Sequence, residues 1–407
     1  MSRILIIGGG FAGVWSAAAA ARLRREAGAS DTDLSITVIS PGDDLVIRPR
    51  LYERDPDRKR LPLDRILGPI GVDRLAATVT GIDTGRQTVT AVQRDGQTAD
   101  LPYDRLVLAS GSALVRPRIP GAEHLHNVDT LPAAAALESH LQRLPERPVS
   151  EGRYTAVVVG AGFTGLEIAT ELVGRLTEVA APHGFADRVR VILVERESVV
   201  GPDLGAGPRG DILAALAHLR VDQRLGTSVQ AVGPSEVVLT DGTTVAAATT
   251  VWTAGMKASH LAENIPGHRD QLGRLAVNGH LQVQGVEGVY AAGDIAAARA
   301  DAERYVMQSC QHASPQGKYA GHNVAADLLG LPLEEFNPGP YITCLDLGGA
   351  GAVYTTGWER TVSLTGPEGK ERKRLITHQW LNPPVDDAEA ILARADFRSS
   401  VHSVLSR

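Results

Sequence analysis

Two glycine-rich stretches of this chain share one spacing, of a kind that can hold phosphate groups. Gly8-Gly9-Gly10-Phe11-Ala12-Gly13 and Gly160-Ala161-Gly162-Phe163-Thr164-Gly165 both fit G-x-G-x-x-G. Each follows a short β-branched run and opens an apolar helical stretch. The first glycine (Gly8, Gly160) allows a tight turn, and the second (Gly10, Gly162) lets backbone N–H groups approach a pyrophosphate. The third (Gly13, Gly165) lets helix and strand pack closely, and the helix N-terminus adds partial positive charge. One such stretch is weak evidence, because glycine turns also occur in sheets that bind nothing. Two in matching strand–turn–helix context point to two dinucleotide sites.

In such sites an acid after the second strand takes the ribose hydroxyls. Beyond the second glycine stretch, Val189 to Val194 reads as that strand and Glu195 ends it. A carboxylate there repels a 2′-phosphate, whereas the neighbouring Arg196 would accept one. The balance favours NADH over NADPH. Beyond the first glycine stretch, Ser35 to Ser40 is the strand, and Ser40 stands where an acid is usual. Asp43 and Asp44 follow, so Ser40, one of these aspartates, or no side chain at all makes the contact.

The elements that position these turns follow from length and pattern. At 407 residues the chain exceeds one ordinary core, so two or three domains are expected. Hydrophobic residues at 43% and charged residues at 22% indicate a folded protein. A net charge of −6 gives no general pull toward nucleic acid or anionic membrane. Two cysteines, Cys310 and Cys344, cannot form a disulfide framework, which suits a reducing, cytoplasmic setting with peripheral membrane contact left open. Ile4 to Ala21 is apolar enough to imitate a signal peptide or membrane helix. It is broken by glycines, and its pattern returns at Ala156 to Val173, so a buried strand and helix are expected instead. No other segment is long enough to span a bilayer.

Strands are predicted at Ile4 to Ile7, Ala76 to Ile82, Thr88 to Gln93, Arg105 to Leu108 and Thr155 to Val159. Helices are predicted from Phe11 to Arg25, from Pro132 to Leu144, and from Gly165 to Glu178. Val229 to Val232, Glu236 to Thr240 and Val245 to Trp252 read as a meander. A helix from Ala320 to Leu329 follows. Toward the C-terminus, Tyr341 to Val353, Val362 to Leu364 and Arg374 to Trp380 are strand candidates. Lys370 to Arg374 reads as a solvated charged turn, and Asp386 to Leu405 as helical.

Further stretches carry a resemblance. Leu106-Val107-Leu108-Ala109-Ser110-Gly111-Ser112, Val251-Trp252-Thr253-Ala254-Gly255 and Tyr290-Ala291-Ala292-Gly293-Asp294 join the two glycine stretches in order. Together they resemble the pyridine nucleotide–disulfide oxidoreductase superfamily over roughly the first 330 residues. Within it the chain most resembles the type II NADH:quinone oxidoreductases. Pro49-Arg50-Leu51-Tyr52 falls where they carry a P-L-L-Y-like segment. Cys310-Gln311-His312-Ala313-Ser314-Pro315-Gln316-Gly317 is similar to their A-Q-x-A-x-Q-Q-G quinone-site signature, with Cys310 and Pro315 as departures. Ser40 departs too, and no C-x-x-x-x-C pair for disulfide-reductase chemistry follows the first helix.

The resemblance implies an α/β fold of two Rossmann-like dinucleotide-binding domains in tandem, glutathione-reductase-like, plus a smaller C-terminal α+β segment. Residues 1–125 and 270–330 would form a discontinuous FAD domain and 126–269 the NAD(P)H domain. Residues 331–407 would shape the acceptor site or a homodimer interface. NADH would reduce FAD, and two electrons would pass to a quinone near Gln311 and Gln316. Gly8, Gly10, Phe11, Ala12, Gly13, Ser40, Arg48, Ala109, Gly111, Gly293 and Asp294 would hold FAD. Gly160, Gly162, Phe163, Thr164, Gly165, Glu195 and Gly255 would hold the nicotinamide dinucleotide. Asp294 suits a flavin ribityl hydroxyl, and also suits a helix N-cap.

Arg48 and Arg50 flank Pro49 and admit two readings of equal weight, a solvated basic turn or a wall of the flavin pocket. Glu167 lies two residues past Gly165, where the first repeat has Trp15. The resemblance places such an acid beside the nicotinamide; offsetting a helix dipole is the plainer alternative. His312 ranks low as a proton relay. No catalytic triad or metal-ligand pattern is present, and no metal is expected. Two other readings share the scaffold: a reductase of a small iron–sulfur protein, favoured by an exposed basic patch at Arg48 and Arg50, and a redox sensor resembling apoptosis-inducing-factor proteins.

Overall fold

Short β-branched runs in this chain pair mainly in parallel, and each parallel sheet ends in a glycine turn. The computed structural model describes residues 2–399. Ser2–Ile7 lies between Leu34–Ser40 and Arg105–Leu108, parallel to both. Val289–Ala291 extends the same sheet beyond Arg105–Leu108. Asp73–Asp83 begins parallel to Leu34–Ser40, then continues into an antiparallel meander with Thr88–Gln93 and Thr98–Pro102. Seven strands thus form one sheet. Its centre is buried on both faces, which is why Ile4, Ile6, Leu106 and Val107 read as unbroken apolar runs.

The Phe11–Glu26 helix packs along the Cys310–Leu329 helix. Their backbones nearly touch: a Cβ at Gly317 would overlap the Ala12 carbonyl, and one at Gly321 the Ser16 carbonyl. The alanines of the first helix, Ala17 to Ala21, are buried in consequence.

A second parallel sheet runs Val221–Leu225, Arg190–Glu195, Thr155–Val159, Thr249–Trp252, and carries the Phe163–Ala180 helix. Beside it lies the antiparallel meander Val229–Val232, Glu236–Leu239, Thr244–Ala246. The single strand expected from Val245 to Trp252 is therefore two. At Ala247 and Ala248 the backbone donates to Ser235 and Gly152, and the chain leaves one sheet for the other.

The C-terminal segment departs furthest from expectation. Tyr341 to Val353 is not one strand but Ile342–Asp346 and Ala352–Thr356, joined by a turn in which Gly348 sits against the Thr170 carbonyl. Thr361–Leu364 completes that sheet. Lys370 to Arg374 is not a solvated turn; it lies within the Gly366–Leu375 helix, where Lys373 is buried. Ile376–Trp380 continues that helix as a wide π-turn rather than forming a strand. The helix expected at Ala320 begins ten residues earlier, at Cys310, and tolerates Pro315 in its second turn. Of the expected Asp386 to Leu405 helix, Ala388–Arg394 is helical, capped by Asp387 accepting from Ala390 N–H at 3.0 Å. Residues 400–405 lie outside the described residues.

Candidate active site

The two glycine turns are the same turn built twice. Gly8 and Gly160 have φ of +121° and +101°, which side chains rarely adopt. A Cβ at Gly13 would overlap the Gly8 carbonyl, and a Cβ at Gly165 the Gly160 carbonyl, so each helix rests directly on its turn. Gly10 and Gly162 precede the helices with φ/ψ of −82°/−172° and −75°/−172°. A Cβ at either would project into open space. Neither helix has a side-chain cap. Each therefore presents free N–H groups and unfilled room at its positive end, which fits a pyrophosphate.

A cavity of about 1430 Å³ runs from the first turn to the start of the second helix. Gly8, Gly10, Phe11, Ala12 and Ser40 line one end, and Phe163, Thr164 and Glu167 another. Ala109 and Gly111 also line it, with Ala109 pressed against Gly8. Asp43 is engaged by Arg74 and Arg94, at 3.0 and 2.7 Å, and Asp44 by Arg60 at 3.0 Å; Ser40 and Asp44 line the cavity.

Arg48 is no solvated turn. It donates to the Ser112 carbonyl and hydroxyl, both at 3.1 Å, pairs with Asp129, and lies 3.8 Å from Asp294. The Ser112 hydroxyl donates to Asp294 at 2.6 Å. Burial pushes the Asp294 carboxyl up, while Ser112 and Arg48 oppose the shift. Asp294 caps no helix by its side chain, because only a single 3-10 turn follows Gly293. Arg50 turns away to Glu53 at 2.8 Å and His378 at 2.7 Å.

Glu167 sits in a buried network that no local pattern revealed. Its Oε1 accepts from Lys373 Nζ at 2.7 Å and from the Asp346 N–H at 3.1 Å. Lys373 also donates to the Cys344 carbonyl at 3.0 Å. Lys370 binds both Asp346 oxygens, at 2.5 and 2.7 Å, and the Tyr52 hydroxyl donates to Asp346 at 2.9 Å. Burial pushes the Glu167 carboxyl up, and the Lys373 ammonium pulls it partly back. Burial works against the Lys373 charge too, yet Glu167 and its neighbours hold that lysine above its ordinary value. Glu167, Lys373, Cys310 and Cys344 all line the cavity. Burial pushes the two thiols up to about 11 and about 12, so both stay protonated at neutral pH.

The remaining expected residues are structural in their visible contacts. In the amide orientation that satisfies both its atoms, Gln311 donates to the Ile342 carbonyl at 2.6 Å and accepts from the Ile342 N–H at 3.0 Å. It lines the cavity and pins the first C-terminal strand. Gln316 does not line it; its Oε1 accepts from the Gly293 N–H at 3.0 Å. His312 is buried, stacks on Tyr341, and is pushed down to about 4 by burial. Its ring is therefore neutral at neutral pH, and it is not among the residues that line the cavity. Glu195 accepts from the Ala161 N–H at 2.7 Å and the Glu197 N–H at 3.0 Å, at the edge of the second glycine turn. Gly255, with φ of +83°, accepts from the Val115 N–H at 2.7 Å and joins the two sheets' linkers. Among the described residues no cluster of three or more His, Cys, Asp or Glu side chains could hold a metal ion. No described helix is long and apolar enough to cross a membrane.

Residues 2–317 match the pyridine nucleotide-disulphide oxidoreductase family. The chain belongs to that family. Membership makes it a pyridine-nucleotide-dependent flavoprotein oxidoreductase and bears out the resemblance carried by its motifs. This oxidoreductase is similar to an NADH dehydrogenase-like protein of Mycobacterium tuberculosis, 46% identical over 397 residues that cover 97% of this chain and 98% of the relative. It is also similar to the type II NADH:quinone oxidoreductase Ndh of the same species, 29% identical over 83% of this chain and 75% of the relative. Among solved structures, NDH2 of Plasmodium falciparum in complex with NADH overlays with a TM-score of 0.77. The overlay covers 97% of this chain and 96% of that one, and at 13% identity it shows a shared fold.

Proposed function

We propose that this oxidoreductase takes a hydride from NADH onto a bound FAD and passes two electrons to a quinone. The continuous cavity carries the reading: it joins the first glycine turn to Glu167 at the start of the second glycine helix. FAD is assigned to the first turn with Ser40, Arg48, Ala109, Gly111, Gly293 and Asp294. The nicotinamide dinucleotide is assigned to the second turn with Phe163, Thr164, Glu195 and Gly255. Flavin, when bound, supplies a site that accepts two electrons from a nicotinamide and releases them to an acceptor.

The chain's own residues do the rest. Free N–H groups at Gly10 and Gly162 receive the pyrophosphates. Arg48 and Ser112 hold the Asp294 carboxyl where it can accept from a ribityl hydroxyl. Glu195 sets a negative charge against a 2′-phosphate, which favours NADH. Quinone reduction consumes protons, and Glu167 Oε1, bonded to Lys373 Nζ, can hold and pass one. Ile376, Trp380 and Leu381 give that end of the cavity apolar walls suited to an aromatic acceptor. This use of the C-terminal segment favours an acceptor site over a dimer interface. The alternative of a small redox-protein acceptor called for an exposed basic patch at Arg48 and Arg50, and both are engaged by carboxylates.

Anaerobic mixing with NADH or NADPH, then with a soluble quinone, tests the reading by flavin absorbance. Fast bleaching by NADH and fast recovery with quinone are expected. Bleaching without recovery would sink the quinone assignment, and a colourless protein that takes up no FAD would sink the whole account.

A further inference from the structure

Residues 357–360 close the hairpin between Ala352–Thr356 and Thr361–Leu364, and they reach out of the C-terminal segment. The Arg360 backbone lies so close to Gly207 that a Cβ there would overlap the Arg360 carbonyl. Gly207 belongs to the loop that follows the Arg190–Glu195 strand of the second parallel sheet. Arg360 Nη1 donates to the Asp203 carbonyl of the same loop, and Nη2 donates to the Tyr341 hydroxyl at 3.0 Å. Tyr341 is itself buried and stacked on Trp358, with ring centroids 4.2 Å apart. The guanidinium is thus held between two anchors, above the Phe163 ring at 5.9 Å from its centroid. Phe163 is the first residue of the second glycine helix. Phe163, Thr164, Asp203 and Arg360 all line the cavity.

A guanidinium has five N–H donors. Two have protein partners here, Nε is enclosed by the protein, and one hydrogen on each Nη has no protein acceptor among the described residues. Nη hydrogens left over on an arginine that lines a cavity suit the oxygens of a phosphate group. The group beside it that lacks a counterpart is the uncapped helix N-terminus, which also attracts an anion.

We propose that Arg360 binds the nicotinamide dinucleotide: the C-terminal hairpin carries its guanidinium over the second glycine turn, where it donates to the pyrophosphate. This rests on the assignment of NADH to that turn. It gives the C-terminal segment a second task besides lining the acceptor end. It also makes the dinucleotide site a joint product of the second sheet and a hairpin some 200 residues later in sequence.

ADP-ribose, which keeps the pyrophosphate and lacks the nicotinamide, is the probe. Its affinity for the oxidised, flavin-loaded protein is measured by calorimetry for wild type, Arg360→Ala and Arg360→Gln. The glutamine keeps a donor for the Asp203 carbonyl and removes the charge, so it carries the test where the alanine protein fails to fold. At least a tenfold loss is expected for each variant that retains its flavin spectrum and its cooperative unfolding. Affinity within twofold of wild type in the glutamine protein overturns the assignment of Arg360 alone. A wild-type protein that does not bind ADP-ribose overturns the dinucleotide reading beneath it. NADH titrations in turnover add a second readout, with KM raised and kcat unchanged, as for a contact made equally in ground and transition states.

Discussion

Glu167 and Lys373 show how much one ion pair depends on its partner. Both are buried, and each neutralises a charge that the surroundings would otherwise reject. Breaking a buried pair by removing one member costs about 3–5 kcal/mol, because the other charge is left uncompensated. Glu167→Gln is therefore expected to destabilise the protein by that order, and adding Lys373→Met is expected to recover most of it. Denaturant unfolding of the four proteins of a double-mutant cycle measures this. Additive single costs would show that the two residues are uncoupled. Lys373 itself was not legible in the sequence. It stands in Lys370-Glu371-Arg372-Lys373-Arg374, which reads as solvated because four of the five side chains reach water or a partner near the surface. Its partner lies 206 residues away, and nothing local records that. Glu167 was legible because it sits at a fixed offset from a glycine pattern and breaks the likeness between the two repeats.

At the scale of elements, the glycine turns were the most legible part of the chain. Their geometry leaves so little freedom that the same residue types recur wherever the turn recurs. The three glycines nevertheless do different work, and the structure separates them. Gly10→Ala places a methyl in open space at an ordinary φ, so the protein is expected to fold and to bind flavin at least about tenfold more weakly, as the methyl meets the ligand. Gly13→Ala pushes the helix off the Gly8 carbonyl and is expected to cost the fold as well as the flavin. Circular dichroism and flavin absorbance distinguish the two, and wild-type flavin affinity in Gly10→Ala would count against an anion at this turn. The C-terminal elements were misread for the converse reason. A strand interrupted by Gly348-Gly349-Ala350-Gly351 keeps its apolar alternation on both sides, so the break is invisible to periodicity. The π-turn at Ile376–Trp380 has no composition that marks it in the sequence.

Across the whole molecule, the C-terminal segment is tied down at several distant points. Lys318 makes one tie, donating to the Asp396 and Ser399 carbonyls at 3.4 and 3.1 Å beside the Trp15 ring. Burial, helped by Arg394, lowers this lysine from 10.5 to about 8. Below pH 8 both folded and unfolded chains carry the charge, and the folded state bears the cost of burying it. Between pH 8 and 10.5 the unfolded chain binds the proton that the folded chain has released, so stability contributed by Lys318 rises with pH. Relative to Lys318→Met, the wild-type protein is expected to gain up to about 3 kcal/mol across that window. Urea midpoints from pH 7 to 10.5 check the sign; a constant difference between the two proteins would refute it.

The close approach of the Phe11–Glu26 and Cys310–Leu329 helices has a consequence for the chain while it is being made. The first glycine helix emerges early, yet the glycines that receive it, Gly317 and Gly321, follow about 300 residues later. At roughly 5–20 residues per second, the ribosome needs on the order of 15–60 s to deliver them. The second sheet, by contrast, draws all four strands from residues 155–252 and can close as soon as that stretch is out. The part of the molecule that is encoded second is therefore positioned to fold first, and the alanine-rich helix at the front of the chain must be kept from other partners until the translation machinery has passed Gly321.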